Sequence, residues 1–275
     1  MSVSEALDIA TALPSKNQPL LFEIVSAFIS EKDSESKKHV VYTLQVRHIS
    51  GRDDFSPATI DRRYTDFLNL YLALKQEYPN LMQTVHFPKK VLIGNFDNKL
   101  ITNRSTGFET LLKHISTNAS LRSSPALLSF LQDQELLEAK QLIDEKQFST
   151  ALPILENSFQ LLNKIYTDRS PAVILALCRV LGCSVAIPGS PNAKKWADLA
   201  LHRYEGVSDS DLLELYLPLL HVCIKVWWQM GLNKDRFETR LLDLRRQGLK
   251  ANESLNLLDA IKEVEEKLQK LSVPS

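Results

Sequence analysis

The chain opens on alternating patterns and closes on helical ones. Leu20 to Ile29 holds Phe22, Ile24, Val25, Phe28 and Ile29, a composition that suits a strand. In the next apolar stretch, Val40, Tyr42, Leu44 and Val46 alternate with Val41, Thr43, Gln45 and Arg47. A period of two predicts a half-buried strand over Val40–Ile49 that pairs with the first. Charged and glycine-containing turns at Asp33–Lys38 and Gly51–Asp54 punctuate these runs, and a third strand is predicted over Thr59–Tyr64. The spacing then changes. Phe67, Leu68, Leu70, Tyr71, Leu72, Leu74 and Tyr78 predict a helix that Pro79 stops.

A loop of about twenty residues follows, long enough for a compact domain to imply a function. It holds Phe87-Pro88-Lys89-Lys90-Val91-Leu92-Ile93-Gly94-Asn95-Phe96, two lysines against an apolar tip. Thr106-Gly107-Phe108-Glu109 has the form of a capping box and predicts a helix over Phe108–Ile115. That would place Arg104 just before a helix N-terminus. Ser124-Pro125 starts another helix, Ala126–Leu131, with serine as N-cap and proline at the first position.

Beyond Gln132 alternation disappears and the pattern is helical. Phe148-Ser149-Thr150-Ala151-Leu152, Trp196-Ala197-Asp198-Leu199-Ala200 and Phe237-Glu238-Thr239-Arg240-Leu241 echo one another at intervals of 48 and 41 residues. Each is expected to open the second helix of a helical pair. Helix starts are marked by Ser170-Pro171, Ser190-Pro191 and Ser208–Asp211, and Leu255–Leu271 predicts a final amphipathic helix. Of the adjacent rings Trp227-Trp228, one should lie nearer the surface. A plain helical bundle without repeats is the alternative.

Composition narrows the function classes. The formal net charge is zero, so a whole-surface basic field is absent and nucleic acid is not an expected partner. Any anion site must be local. Cys178, Cys183 and Cys223 fit neither a zinc site nor a redox pair, and they read as buried reduced thiols. Met1–Ala12 lacks the basic start and apolar run of a signal peptide. The apolar stretch Leu212–Met230 is interrupted by Glu214, Pro218, His221 and Lys225, which argues for a core helix over a membrane span. No glycine-rich phosphate loop, metalloprotease helix motif or nucleophile elbow occurs, so neither catalysis nor a cofactor or metal is expected.

The local anion chemistry is concentrated in Arg62-Arg63-Tyr64-Thr65-Asp66-Phe67. A guanidinium matches a phosphate in geometry and is always charged. Thr65 and Asp66 fall where the next helix begins, so free backbone N–H groups and the helix dipole point to the same place. This stretch resembles the R-[RK]-[YF]-x-[DE]-F signature of the PX (phox homology) domain, which reads phosphoinositide headgroups. The order of strand, strand, strand, helix, long proline loop, helix, helix is similar to a whole PX domain over residues 18–132.

The resemblance implies site roles. Arg63 would grip the 3-phosphate of phosphatidylinositol 3-phosphate, with Thr65 on the same phosphate and Tyr64 under the inositol ring. Lys90 would take the 1-phosphate and Arg104 the 4- and 5-hydroxyls. Val91, Leu92, Ile93 and Phe96 would form a membrane-insertion loop. Pro79 and Pro88 stand nine positions apart, whereas the family carries a tighter P-x-x-P cluster. Lys89 versus Lys90 therefore stays open.

The second half resembles the PX-associated helical domain of a subgroup of sorting nexins. The expected architecture is an α+β PX domain, a three-stranded antiparallel sheet plus helices, at 18–132. It follows a short lead at 1–17 and precedes an all-α domain of tetratricopeptide-like hairpins at 133–275. The resemblance implies a peripheral adaptor on early endosomal membranes that holds a protein cargo or partner. A cytosolic helical scaffold whose PX fold binds no lipid is the alternative.

Overall fold

The computed structural model describes residues 20–30, 38–48, 58–204, 214–246 and 256–272. Two compact units emerge, Met1–Asp133 and Gln134–Ser275. The turns expected at Asp33–Lys38 (all but its last residue) and Gly51–Asp54, and the helix start at Ser208–Asp211, lie outside the described residues.

In the first unit, β1 (Leu20–Ser30), β2 (His39–His48) and β3 (Ala58–Arg63) form an antiparallel sheet in the order β1-β2-β3. The alternation on β2 survives folding: Val40, Tyr42, Leu44, Val46 and His48 are buried and the residues between them are not. One irregularity falls on β1 at Ile24/Ser26, and Val25 to Ile29 beyond it are exposed.

Four helices lie wholly in this unit's described part: α1 (Tyr64–Glu77), α2 (Pro79–Met82), α3 (Asn98–Thr117) and α4 (Ala119–Arg122). Their apolar faces meet the sheet around stacked rings. Phe67 and Phe108 lie parallel at 3.9 Å, and Tyr42 sets its edge on Phe108 at 5.0 Å. Buried, offset aromatic pairs of this kind add roughly 0.5–1.5 kcal/mol beyond their burial.

Helix α3 corrects the sequence reading. It does not begin at Phe108 behind a capping box; it starts at Asn98, with the Asp97 side chain accepting from the Leu100 N–H at 3.1 Å. The hydroxyl-rich run that resembled a helix start sits inside the helix. Thr102 and Ser105 donate back to the carbonyls of Asn98 and Ile101, so they compete for no helix end. Glu109 accepts from the Ile24 N–H of β1 at 2.8 Å and caps nothing.

Helix α5 (Pro125–Asp144) is also longer than expected, for it continues past Leu131. Ser124 caps it as expected, accepting from Leu127 N–H at 3.2 Å. The division between the units falls within this helix.

The second unit is helical throughout its described part: the rest of α5, then α6 (Phe148–Ile165), α7 (Pro171–Ala186), α8 (Ala193–Tyr204), α9 (Tyr216–Gln229), α10 (Asp235–Arg246) and α11 (Leu257–Ser272). Ser190-Pro191 lies just ahead of α8 rather than at its first position. Helix α7 is buried almost all round and touches α6, α8, α9 and α11, the place for a helix that is apolar on every side. Two of the three aromatics of the echo are buried, and Phe148 is half-buried. Trp196 meets Phe159 edge-on at 5.6 Å, and Phe237 meets Trp227 at 5.0 Å. The tryptophan pair divides as expected, with Trp227 buried and Trp228 exposed.

The thiols are buried and free, and burial pushes Cys178 up to about 12 and Cys183 to about 11. Among the described residues no helix is long and apolar enough to cross a membrane.

Helix α11 docks through a charged clasp. The Glu265 carboxylate accepts from Arg179 of α7 at 2.5 and 2.9 Å and pairs with Lys140 of α5. Burial would raise the Glu265 pKa, but Arg179 and Lys140 outweigh it and hold the carboxyl below its usual range. The pair therefore stabilises the fold above the ordinary glutamate pKa and loses that contribution as pH falls through the depressed value. Replacing Glu265 with Gln leaves Arg179 buried without a countercharge. The expected cost is about 3–5 kcal/mol at neutral pH, read by urea unfolding, with a flatter acid dependence than the wild type. Equal acid profiles would show that the clasp contributes nothing.

Candidate functional site

Strand geometry sorts the two arginines. On β3, Arg62 and Arg63 point to opposite sides. Arg62 is 1% exposed. Its Nε donates to the Phe130 carbonyl at 2.7 Å and its Nη1 to the Asp61 carbonyl at 2.8 Å, while the guanidinium lies 5.4 Å from the Phe130 ring centre. It ties the sheet to α5 and is not available to a ligand. Arg63 is exposed and stands at the N-cap of α1. Its backbone N–H donates to Asp66 Oδ2 at 2.7 Å, which fixes the first turn. Thr65 is exposed on that turn, beside the unsatisfied N–H groups of the helix start.

Tyr64 is the hub. Its hydroxyl donates to the Pro88 carbonyl at 2.8 Å, and its ring packs against Phe87 and Phe108. The Arg104 guanidinium lies 4.2 Å from its ring centre. The long loop is thereby fastened to the end of β3. A second fastening comes from Gly107, where a Cβ would stand 2.3 Å from Pro88 Cγ. Lys89 and Lys90 follow Pro88 directly and are both exposed, while Arg63 and Thr65 flank Tyr64 in sequence and are exposed as well.

Arg104 is not where its sequence context suggested. It precedes no helix N-terminus but projects from within α3, 3% exposed. Nη2 donates to Asn95 Oδ1 at 3.1 Å and the Tyr42 hydroxyl lies against the guanidinium, while buried Nε makes no well-formed hydrogen bond among the described residues. No carboxylate pairs with it there. The neighbouring phenols do not supply a negative charge, because burial raises both Tyr42 and Tyr64 against the opposing pull of Arg104. A buried, uncompensated guanidinium is costly, and an anionic or hydroxyl-rich ligand would offset that cost.

The loop beyond the lysines splits the predicted insertion set. Leu92 and Ile93 are 95% and 90% exposed, and Phe96 is 44% exposed. Val91 is half-buried, and its carbonyl accepts from Asn95 Nδ2 at 3.3 Å. Gly94 has φ of 80°, a left-handed conformation that turns the tip. The sequence assigned Gly107 to a helix start and Asn95 only to the loop, so the contacts of both with the site were missed. An isolated glycine inside a helical pattern was a usable signal, since it usually has a packing reason. Nothing local marks Asn95.

Gly107→Ala should force Pro88 away from α3, because a change of ring pucker moves chiefly Cγ and leaves Cδ only 2.9 Å from the added Cβ. Overpacking of this kind costs roughly 1–3 kcal/mol. Urea melts should register that loss, and the loop should lose its contact with Tyr64, seen as faster amide exchange in 87–97. Unchanged exchange would disprove the clamp.

Residues 51–134 match the model of the PX domain family. Sorting nexin-21 of Homo sapiens is 34% identical over 233 residues, covering 84% of this chain and 61% of that protein. Sorting nexin-20 of Bos taurus is 30% identical over 245 residues, covering 86% of this chain and 73% of that protein. The chain thus spans under two thirds of the human relative's length. Among solved structures, a designed CISK-PX domain aligns at 28% identity over 40% of this chain and 97% of its own, with a TM-score of 0.34. By its likeness to sorting nexins over most of its length, and by the PX domain at residues 51–134, the chain belongs to the sorting nexin family.

Proposed function

We propose that this sorting nexin is a phosphoinositide-binding adaptor of membrane traffic. Its PX domain would attach it peripherally to membranes that display phosphatidylinositol 3-phosphate, those of the early endosome. The observation that supports this most is Arg104, a buried guanidinium over an aromatic ring that has, among the described residues, no carboxylate partner and no well-formed hydrogen bond at Nε. In this reading the inositol hydroxyls complete its hydrogen bonding. Arg63 and Thr65, at the open helix start, take the 3-phosphate, and Lys90 or Lys89 takes the 1-phosphate. Tyr64 supports the ring. Leu92 and Ile93 enter the headgroup boundary with Phe96 behind them, while the lysines meet anionic lipid. Val91, half-buried, serves as the anchor of that tip rather than as part of it. The helical unit offers a platform for a protein cargo or partner, and a membrane-bound partner would add avidity through effective concentration.

Arg63→Ala should leave the fold intact and lower affinity for vesicles carrying phosphatidylinositol 3-phosphate tenfold or more. A charge-assisted contact to phosphate is worth roughly 1.5–3 kcal/mol. Vesicle sedimentation across the phosphoinositides reads both the loss and the lipid preference, and wild-type binding by the variant would refute the pocket.

Leu92→Asp with Ile93→Asp should weaken vesicle binding far more than binding of a soluble short-chain headgroup, measured by calorimetry. Equal losses in the two assays would assign the tip to folding instead.

A further inference from the structure

The second unit carries an apolar corner that the headgroup site does not use. Helix α9 ends in a tight double bond pattern: Leu232 N–H donates to the Trp227 carbonyl at 2.9 Å and Gly231 N–H to the Trp228 carbonyl at 3.0 Å. Gly231 has φ of 67°, so this is a Schellman closure with glycine in the left-handed position. The closure holds a run from Trp228 to Asn233 that is exposed at every residue. Within it, Trp228 is 69%, Met230 55% and Leu232 41% exposed. Consecutive exposure on both sides of a helix end describes a projecting corner, not a groove. Its three large apolar side chains therefore have no concave partner surface of their own to complete.

Cations surround the corner. Lys225 is exposed one turn before Trp228 on the same face of α9. Lys194 Nζ and Arg236 Cζ lie 5.1 and 5.9 Å from the Trp227 ring centre, next to Trp228 in sequence. The acids nearby are engaged: Asp198 pairs with Lys194, Glu238 with Lys234, and Asp235 accepts from Asn233 Nδ2 at 3.1 Å. Lys225 and Arg236 have no carboxylate partner among the described residues.

A projecting Trp with apolar neighbours and a cationic collar has the composition of a membrane-interface anchor. Indole sits at the headgroup level, methionine and leucine reach the acyl boundary, and lysine and arginine meet anionic headgroups. We propose that the corner Trp228–Leu232 is a second membrane contact, one that engages anionic bilayer surfaces independently of any inositol headgroup.

The test uses the 275-residue chain and vesicles of phosphatidylcholine with or without phosphatidylserine, all free of phosphoinositide. Arg63→Ala combined with Leu92→Asp and Ile93→Asp serves as the background, so that neither the headgroup pocket nor the loop tip can mask or mimic the corner. Trp196 and Trp227 are buried, so a change of tryptophan emission on binding reports chiefly on Trp228. Emission should shift to the blue with phosphatidylserine vesicles and be quenched by brominated acyl chains. Trp228→Ala should remove this response and lower the affinity for these vesicles about fivefold or more, with the circular dichroism melt unchanged. Lys225→Glu should weaken binding to the anionic vesicles only. Absence of quenching overturns the proposal, as does wild-type sedimentation by Trp228→Ala. So does a finding that Trp228→Ala dissolves a dimer in gel filtration without altering vesicle binding, which would make the corner a protein interface.

Discussion

The contact between the Arg104 guanidinium and the Tyr64 ring governs the first unit. It joins the first residue of α1 to the middle of α3 through a charge and an aromatic face, and the Pro88 carbonyl closes the triangle through the tyrosine hydroxyl. A cation–π pair is worth more as water is excluded from it, and here the guanidinium is nearly wholly buried. Every other proposed ligand contact is positioned relative to this pair. Arg63 precedes Tyr64 by one residue, the lysines follow Pro88, and Asn95 reaches Arg104 from the far side of the loop. The contacts that would frame the proposed pocket are internal to the chain, and among the described residues they leave Arg104 Nε without a hydrogen bond.

Much of this architecture could be seen in the residues alone. A strand buried on one face writes its own period, and Val40 to Val46 kept it. The parity of β3 would have separated Arg62 from Arg63 had the buried face been known in advance. What could not be seen depended on choices between local and distant partners. Thr102, Ser105 and Thr110 have the chemistry of a helix start and equally that of a helix interior, where hydroxyls turn back on their own helix's carbonyls. Only the packing of α3 against the sheet and Pro88 decides between them. Arg104 moved with that decision, from a helix end to a buried helix face. Asn95 was invisible because its role is set by a side chain nine residues away.

The helical unit shows the same division. Trp196 and Phe237 were legible as core because each recurs at the same place in a helical pair. The reach of α5 was not, since nothing in Gln132–Asp144 marks a continuation rather than a fresh helix. The clasp of Arg179, Lys140 and Glu265 joins residues far apart in the chain, and no spacing rule anticipates it. Buried ionic groups of this kind are weak evidence for stability but a sensible means of holding one docked position of a terminal helix among several that apolar contacts alone would allow.

The burial of the three thiols has a practical bearing. Cys178, Cys183 and Cys223 are fully enclosed, and burial raises all three above the ordinary thiol range. Thiolate is the species that reacts with maleimides and alkylating agents, so these natural cysteines should stay silent in the folded chain. A cysteine introduced at an exposed position would then be the one site that takes up a dye or spin label. Distances and depths could be followed from that site with no background mutations in the helical core.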